Sequence, residues 1–250
     1  MLDAGQDQAA GLRRLMQAAP LALLAFPLDG GPGQWIAQIA HALRALGRKP
    51  VVLDGGRGAV AQALGLRPRH DLIDLLRGER DFDGVAASTA DGVWVLRGER
   101  GLDAFAASGA PARDLLAGFG RLSHNFDELL LAMPAAELAS LAAPGRSVPV
   151  VGLEATSAGR MGSYALVKQL AQGYGYRRFA CVVRGAEDAD AARAEHARLA
   201  DASRHFLGAE ITLAGWLPSA GPQRDHALAR TAHALLATAA TPLETAAAAA

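Results

Sequence analysis

From Leu21 to Ala237 the sequence alternates short apolar runs with longer stretches of helical periodicity, and nothing else in it constrains the fold as tightly. Strands are predicted at Leu21 to Phe26, Val51 to Leu53, Val93 to Leu96, Leu129 to Ala132, Val148 to Leu153, Phe179 to Val183 and Ile211 to Leu217. Helices are predicted at Trp35 to Leu46, Asp71 to Leu76, Leu115 to Leu122, Met161 to Gln172, Asp188 to Phe206 and Arg224 to Ala237. A strand that is apolar on both faces needs cover on both, and helices between successive strands supply it as crossover units. The expectation is an α/β fold: a mostly parallel central sheet with helices on both faces, spanning residues 20–237 without a linker.

The two ends read differently. In residues 1–19, Asp7 is placed to cap a helix starting at Gln8, and Leu12, Leu15, Met16 and Ala19 follow helical spacing. So short a helix is marginal in water by itself, and Gly11 costs it about 1 kcal/mol against alanine. It therefore reads as a helix completed by a partner, or equally as one packed on its own domain. Residues 238–250 form an alanine-rich tail expected to be disordered, with too few large apolar or basic residues for an amphipathic membrane anchor.

Composition removes several classes of function. Twenty-five basic and twenty-five acidic residues cancel, so bulk charge does not hold nucleic acid or an anionic membrane. A lone cysteine, Cys181, excludes an internal disulfide and a multi-cysteine zinc site; in its apolar strand it reads as inert core. His196 and His205, and likewise His226 and His233, are spaced too far apart to ligate one metal from adjacent turns. Ser157 and Ser163 lack the glycine frame of a serine hydrolase. Glu187, Asp188 and Asp190 read as a helix start, and Arg177 and Arg178 as a solvated strand edge. No apolar stretch reaches membrane-spanning length, and Asp3 and Asp7 stand where a signal peptide carries basic residues. The chain is expected to be soluble and cytoplasmic.

The first strand runs through PLDGGPGQW into a helix, the setting in which a glycine-rich loop cradles phosphate on a helix N-terminus. By itself such a loop is better explained by a tight strand-to-helix turn. In sequence order, however, GRKPVVLDGGRG, LGLRPRHDLIDLLRGE, FDELLLAMP, GLEATS with YALVK, and CVVRG continue a resemblance to the MinD/ParA family of deviant Walker-type ATPases over nearly the whole chain. Against that family's KGGxGK[ST] loop, Gly30, Gly31 and Gly33 remain. The signature lysine falls on Asp29, the phosphate lysine on Gln34 and the magnesium-binding hydroxyl on Trp35. Asp54 matches the first aspartate of the DxD strand, with Gly56 replacing the second. Ala132 stands where the Walker B aspartate belongs, and Arg184 where an asparagine reads adenine.

These departures remove the chemistry of the loop. A triphosphate needs backbone donors, a cation and a metal ligand. Pro32 lacks an N–H, Gln34 is neutral and Trp35 is bulky. Asp29 adds a charge of the wrong sign, and two like unit charges about 4 Å apart repel by roughly 4 kcal/mol at an effective dielectric of about 20. A helix N-terminus returns only about 0.3–1 kcal/mol, or about 2 where partly buried. The resemblance therefore implies a decayed site in which ATP and magnesium binding is lost or weak and hydrolysis is absent. For Trp35 the plain expectation is an indole in the core under the first helix; the sharper one is an indole filling the nucleotide space.

The front segment DQAAGLRRLM resembles the DQAxxLR activator segment of the flagellar-number regulators FlhG/FleN, and FLGAEITLAGWLP resembles their late strand region. In that family the segment docks on FlhF, a signal-recognition-particle-type GTPase, and stimulates hydrolysis. The matching positions are Asp7, Gln8, Ala9, Leu12 and Arg13. A glutamine can orient water or phosphate, leucines can anchor in a groove, and arginines can pair with carboxylates or phosphate; a capping Asp7 and solvated Arg13 and Arg14 are the plainer reading.

The resemblance implies a non-catalytic regulator of flagellar placement or number, with FlhF as first partner and flagellar switch proteins or a flagellar transcription regulator as others. It is expected to be a monomer, drawn to the cell pole only by partners. The alternatives are a slow ATPase using Asp54 to orient water and a non-flagellar MinD/ParA-like positioning scaffold.

Overall fold

The computed structural model describes residues 21–29, 31, 33–120 and 125–239. Residues 1–19 and the tail beyond Ala239 therefore lie outside the description, as do Gly30 and Pro32.

Among the described residues eight strands, β1 (Ala22–Leu28), β2 (Pro50–Asp54), β3 (Ala87–Ser88), β4 (Trp94–Arg97), β5 (Glu128–Pro134), β6 (Val150–Glu154), β7 (Arg178–Arg184) and β8 (Glu210–Leu217), form two sheets. Their orders are β1-β5-β2-β4-β3 and β6-β7-β8. A single parallel bridge, Ala25 to Pro149, joins them at β1 and β6. Every ladder is parallel except that of the short β3, which runs antiparallel to β4. The predicted α/β architecture is thus the observed one.

Helices cover both faces because strand residues alternate between them. On one face Leu24, Phe26, Val52, Val95, Leu130 and Val182 meet α1 (Gln34–Ala45), α2 (Ala59–Ala63) and α10 (Arg224–Thr238). On the other, Val51, Leu53, Leu96, Leu129 and Leu131 meet α3 (Leu72–Leu76), α4 (Phe82–Val85), α5 (Glu99–Ser108), α6 (Ala112–Gly120) and α7 (Ala135–Leu141). The same face continues over Val151, Cys181 and Val183 under α8 (Ser157–Lys168) and α9 (Ala189–Leu207). Helix α8 widens into a π turn at Gln169–Gly173 before the chain enters β7.

Local chemistry sets several helix starts. Asp188 accepts the N–H of Ala191 at 2.7 Å to cap α9, as its sequence position suggested, and Thr156 accepts from Gly159 to cap α8. Asp71 does more. Its Oδ1 takes the N–H groups of Ile73 (3.2 Å) and Gly101 (2.8 Å), and Asp74 closes a capping box back onto its own N–H. One buried carboxylate so ties the starts of α3 and α5 together.

Strand β1 runs two residues past its predicted end, through Pro27 and Leu28, because the β5 ladder continues beside it to Pro134. Among the described residues no helix is long and apolar enough to cross a membrane, and no group of His, Cys, Asp and Glu is arranged to hold a metal ion.

Candidate functional site at the switch point of the sheet

Strands β1 and β6 are neighbours, yet the chain leaves β1 for α1 on one face and β6 for α8 on the other. Adjacent strands whose connections part in this way open a crevice at their carboxyl ends, where open α/β sheets take ligands. Asp29, Gly31 and Gly33, which follow β1, lie at the mouth of that crevice. Nearby strand ends bring Asp54, Arg97, Ala132, Glu154 and Arg184 to the same edge of the sheet.

Asp29 turns back over the loop. Its Oδ1 accepts the N–H of Gly31 at 3.1 Å, and its Oδ2 lies 3.9 Å from where a Cβ on Gly162 of α8 would sit. An amide that would face a phosphate in a cradle is therefore satisfied by a carboxylate of the same loop.

Gly33 is needed for packing. A Cβ there would lie 2.6 Å from the Val60 nitrogen and 2.7 Å from the Ala59 carbonyl carbon. The start of α1 thus rests on the backbone of α2, a contact that admits no side chain. Gln34 begins α1 exposed to solvent.

Trp35 is 6% exposed and belongs to the core. Phe26 meets it edge-on with centroids 5.4 Å apart. Its six-membered ring lies against Gly152 of β6, where a Cβ would come within 3.0 Å of Cε2. The Arg184 guanidinium stands 5.9 Å from the indole centroid, and its Nη2 pairs with Glu154 at 3.2 Å. The Arg184 Nε is buried without a partner among the described residues. Helix α1 thus places its bulkiest side chain between the ends of β1, β6 and β7.

Asp54 is fully buried. Its Oδ1 accepts from Gly56 (3.1 Å), and its Oδ2 from Val60 (2.9 Å) and Ala61 (2.8 Å). Burial raises its pKa above the ordinary aspartate value; the three amides, then the Arg97 charge, oppose that rise. The carboxylate anchors the first turn of α2, so the role of water-orienting base considered for it meets an oxygen pair already engaged by backbone. A side chain at Gly56, the second DxD position, would run into Leu28. Ala132 is wholly buried, and its carbonyl accepts the N–H of Gly55.

The structure therefore brings Asp29, Gly31, Gly33, Gln34, Trp35, Asp54, Ala132 and Arg184 to one edge of the sheet. Asp7, Gln8, Ala9, Leu12 and Arg13 lie outside the described residues. Sequence reasoning missed Glu154, which holds Arg184, and Arg97, which lies beside Asp54 and whose buried Nε has no partner among the described residues. Both sit at the last position of a strand, a signal legible once strand ends are known.

Magnesium triphosphate needs free amides, a cation facing the anion and a hydroxyl or carboxylate for the metal. Here the Gly31 amide is engaged by an anion, indole replaces hydroxyl and the β5 position is a methyl group. These residues do not fit it. Two cavities lie elsewhere: about 380 Å³ beside Ser147, Tyr176 and Arg178, and about 420 Å³ between α3, α4 and α6.

No family model matches the sequence, and no curated protein matches it. Solved structures do. The chain is similar to one from the MinC:MinD cell division protein complex of Aquifex aeolicus, at 18% identity over 86% of this chain and 95% of that one, with a TM-score of 0.60. It is also similar to the cell division ATPase MinD of Pyrococcus furiosus, at 16% identity, 87% and 98% coverage and a TM-score of 0.54. A ParA family ATPase of Chlorobium tepidum matches at 12% identity, 87% and 91% coverage and a TM-score of 0.54. At such identities the likeness is one of fold: a mostly parallel sheet with surrounding helices, as in MinD and ParA ATPases.

Proposed function

We propose that this chain, built on a MinD/ParA-type fold, is a non-catalytic, FlhG-like regulator of flagellar placement or number. It acts through protein contacts and holds neither ATP nor magnesium. Its N-terminal segment stimulates an FlhF-like GTPase: Asp7 caps the helix, Gln8 orients the attacking water or a phosphate, Ala9 allows close approach, Leu12 anchors and Arg13 pairs with an anion. The observation that carries the non-catalytic reading is the Asp29 carboxylate on the Gly31 amide beside the buried Trp35. The order DQAAGLRRLM followed by a MinD-like fold supports the flagellar branch. Flagellar switch proteins or a flagellar transcription regulator are further partners in this reading, and the protein is a cytoplasmic monomer brought to the pole by them.

The test is GTP hydrolysis by the cognate FlhF-like GTPase with full-length protein, a version lacking residues 1–19, and Gln8→Ala. The full chain should raise the rate, and each change should cut the stimulation at least about tenfold, which is about 1.4 kcal/mol of barrier. Equal rates with all three end the proposal.

A second reading follows from the fold neighbours, which are named as ATPases: a slow ATPase with unusual nucleotide contacts. Thermal melting with Mg-ATP separates the two. A specific ligand at 100 times its dissociation constant stabilises by about 2.7 kcal/mol; the regulator reading expects no shift at millimolar nucleotide.

A further inference from the structure

The loop that leaves β2 holds an arginine in a backbone conformation that side chains avoid. Among the described residues Arg57 is the one non-glycine in the left-handed region, with φ 56°. Gly58 follows at φ 76°, and Ala59 donates its N–H back to the Gly56 carbonyl at 3.1 Å. Glycine and asparagine are the residues that suit a turn with two left-handed central positions, so Arg57 is strained there. The turn is fixed from beneath: the buried Asp54 carboxylate takes the amides of Gly56, Val60 and Ala61.

The strain secures nothing inside the chain. The Arg57 side chain is 91% exposed, and its Nε reaches Glu99 only at 4.0 Å. Two more guanidiniums stand beside it. Arg97, at the end of β4, lies 3.9 Å from the same carboxylate through Nη2. Arg100, next to Glu99 on α5, turns to Asp74 at 3.8 Å, where His70 also sits at 3.7 Å. Three arginines so share two carboxylates through contacts at the outer limit of an ion pair, which contribute little to stability at an exposed site.

We propose that Arg57, Arg97 and Arg100 form a docking surface for a carboxylate-rich segment of a partner protein, with Glu99 standing in for the partner's carboxylate in the free chain. A planar guanidinium meets a carboxylate best through two parallel N–H groups, and the loose contacts to Glu99 leave that geometry unused. Nucleic acid is the poorer match. A duplex is held by phosphate contacts summed over a long surface, about 6–10 in a typical case, against three arginines here on a chain of zero net charge. The surface lies at the carboxyl ends of β2 and β4 and uses neither residues 1–19 nor Trp35 and Arg184. It is independent of the proposed stimulation of a GTPase.

Fluorescence anisotropy with the full chain tests it, using a labelled poly-glutamate peptide and a duplex DNA at about 0.1 M salt, where charges more than about 10 Å apart are screened. The wild type should bind the peptide saturably and more tightly than the DNA. Arg57→Gly should weaken peptide binding at least about threefold and Arg57→Glu at least about tenfold. Glu99→Gln should tighten it, because Arg57 and Arg97 are released. Arg193→Ala, which removes the same charge from α9 on the far part of the sheet, should change nothing. The thermal midpoint of Arg57→Gly should be no lower than that of the wild type, since glycine adopts the turn without strain. No peptide binding, equal binding by wild type and Arg57→Gly, an equal loss with Arg193→Ala, or tighter binding of DNA each overturns the inference. So does a lowered midpoint in Arg57→Gly, because the arginine then serves the fold.

Discussion

A single missing side chain decides how α1 meets α2. Gly33 leaves no room for a Cβ against the Ala59–Val60 backbone, and backbone cannot swing aside as a flexible side chain can. Gly33→Ala should therefore cost about 1–3 kcal/mol by overpacking, measured by urea denaturation; a change under a few tenths would mean the two helices are not held as described. Cys181 offers a second check. It is wholly buried and its thiol is pushed up to about 12, so iodoacetamide at pH 8 should leave it unmodified in the native protein and label it in urea. Rapid native labelling would contradict its place in β7. The side chains around the loop are equally local in effect: a carboxylate at Asp29, an indole at Trp35 and a methyl group at Ala132 each act through what they touch.

At the level of elements, Asp71 shows why short helices here are stable. Helix α3 has only five residues, too few to stand alone. Its cap is shared with α5, and the two pack closely enough that a Cβ on Gly101 would lie 2.5 Å from that of Leu72. Asp71→Ala should cost about 2 kcal/mol or more, at or above the upper end of an ordinary cap, because buried N–H groups on both helices lose their acceptor. Asp81→Ala, at the exposed single cap of α4, should cost about 0.5–1 kcal/mol. Paired thermal melts check the contrast, and equal losses would mean Asp71 acts on one helix alone. The elements the periodicity left out were the short ones, α2, α4, α7 and β3, together with α5. Windows of two to seven residues carry too little pattern to read, and α5 begins with the charged, glycine-containing Glu99-Arg100-Gly101, which hides its apolar face.

Over the whole molecule, two buried carboxylates set the pH response. Glu128, wholly buried, accepts the Arg48 Nε–H through one oxygen at 2.5 Å, while its other oxygen has no partner among the described residues. Burial raises its pKa, and that of Asp54, above the ordinary values. A raised carboxylate binds its proton more tightly folded than unfolded, so stability falls as pH rises from the unfolded pKa to the folded one and is level above. Asp74 and Asp91, with lowered pKa values, act in the opposite sense at lower pH. Glu128→Gln should therefore flatten the decline in urea midpoint as pH rises above the ordinary glutamate pKa; an unchanged slope would show that Glu128 titrates normally.

The parallel architecture was legible in the sequence because alternation of apolar runs and helical periods is a local property, and burial on both faces leaves its mark on each strand separately. The side-chain types along the loop were legible too: Gln34, Trp35 and Ala132 carry no charge, hydroxyl or carboxylate whatever surrounds them. What each residue does instead was decided by tertiary structure. That Asp29 bonds Gly31, that Asp54 holds the start of α2, that Gly33 bears on Val60 and that Arg184 lies beside Trp35 and Glu154 depend on distances between segments remote in the chain. Such distances follow from how helices settle on the sheet, where close packing fixes positions to fractions of an ångström that no residue pattern records.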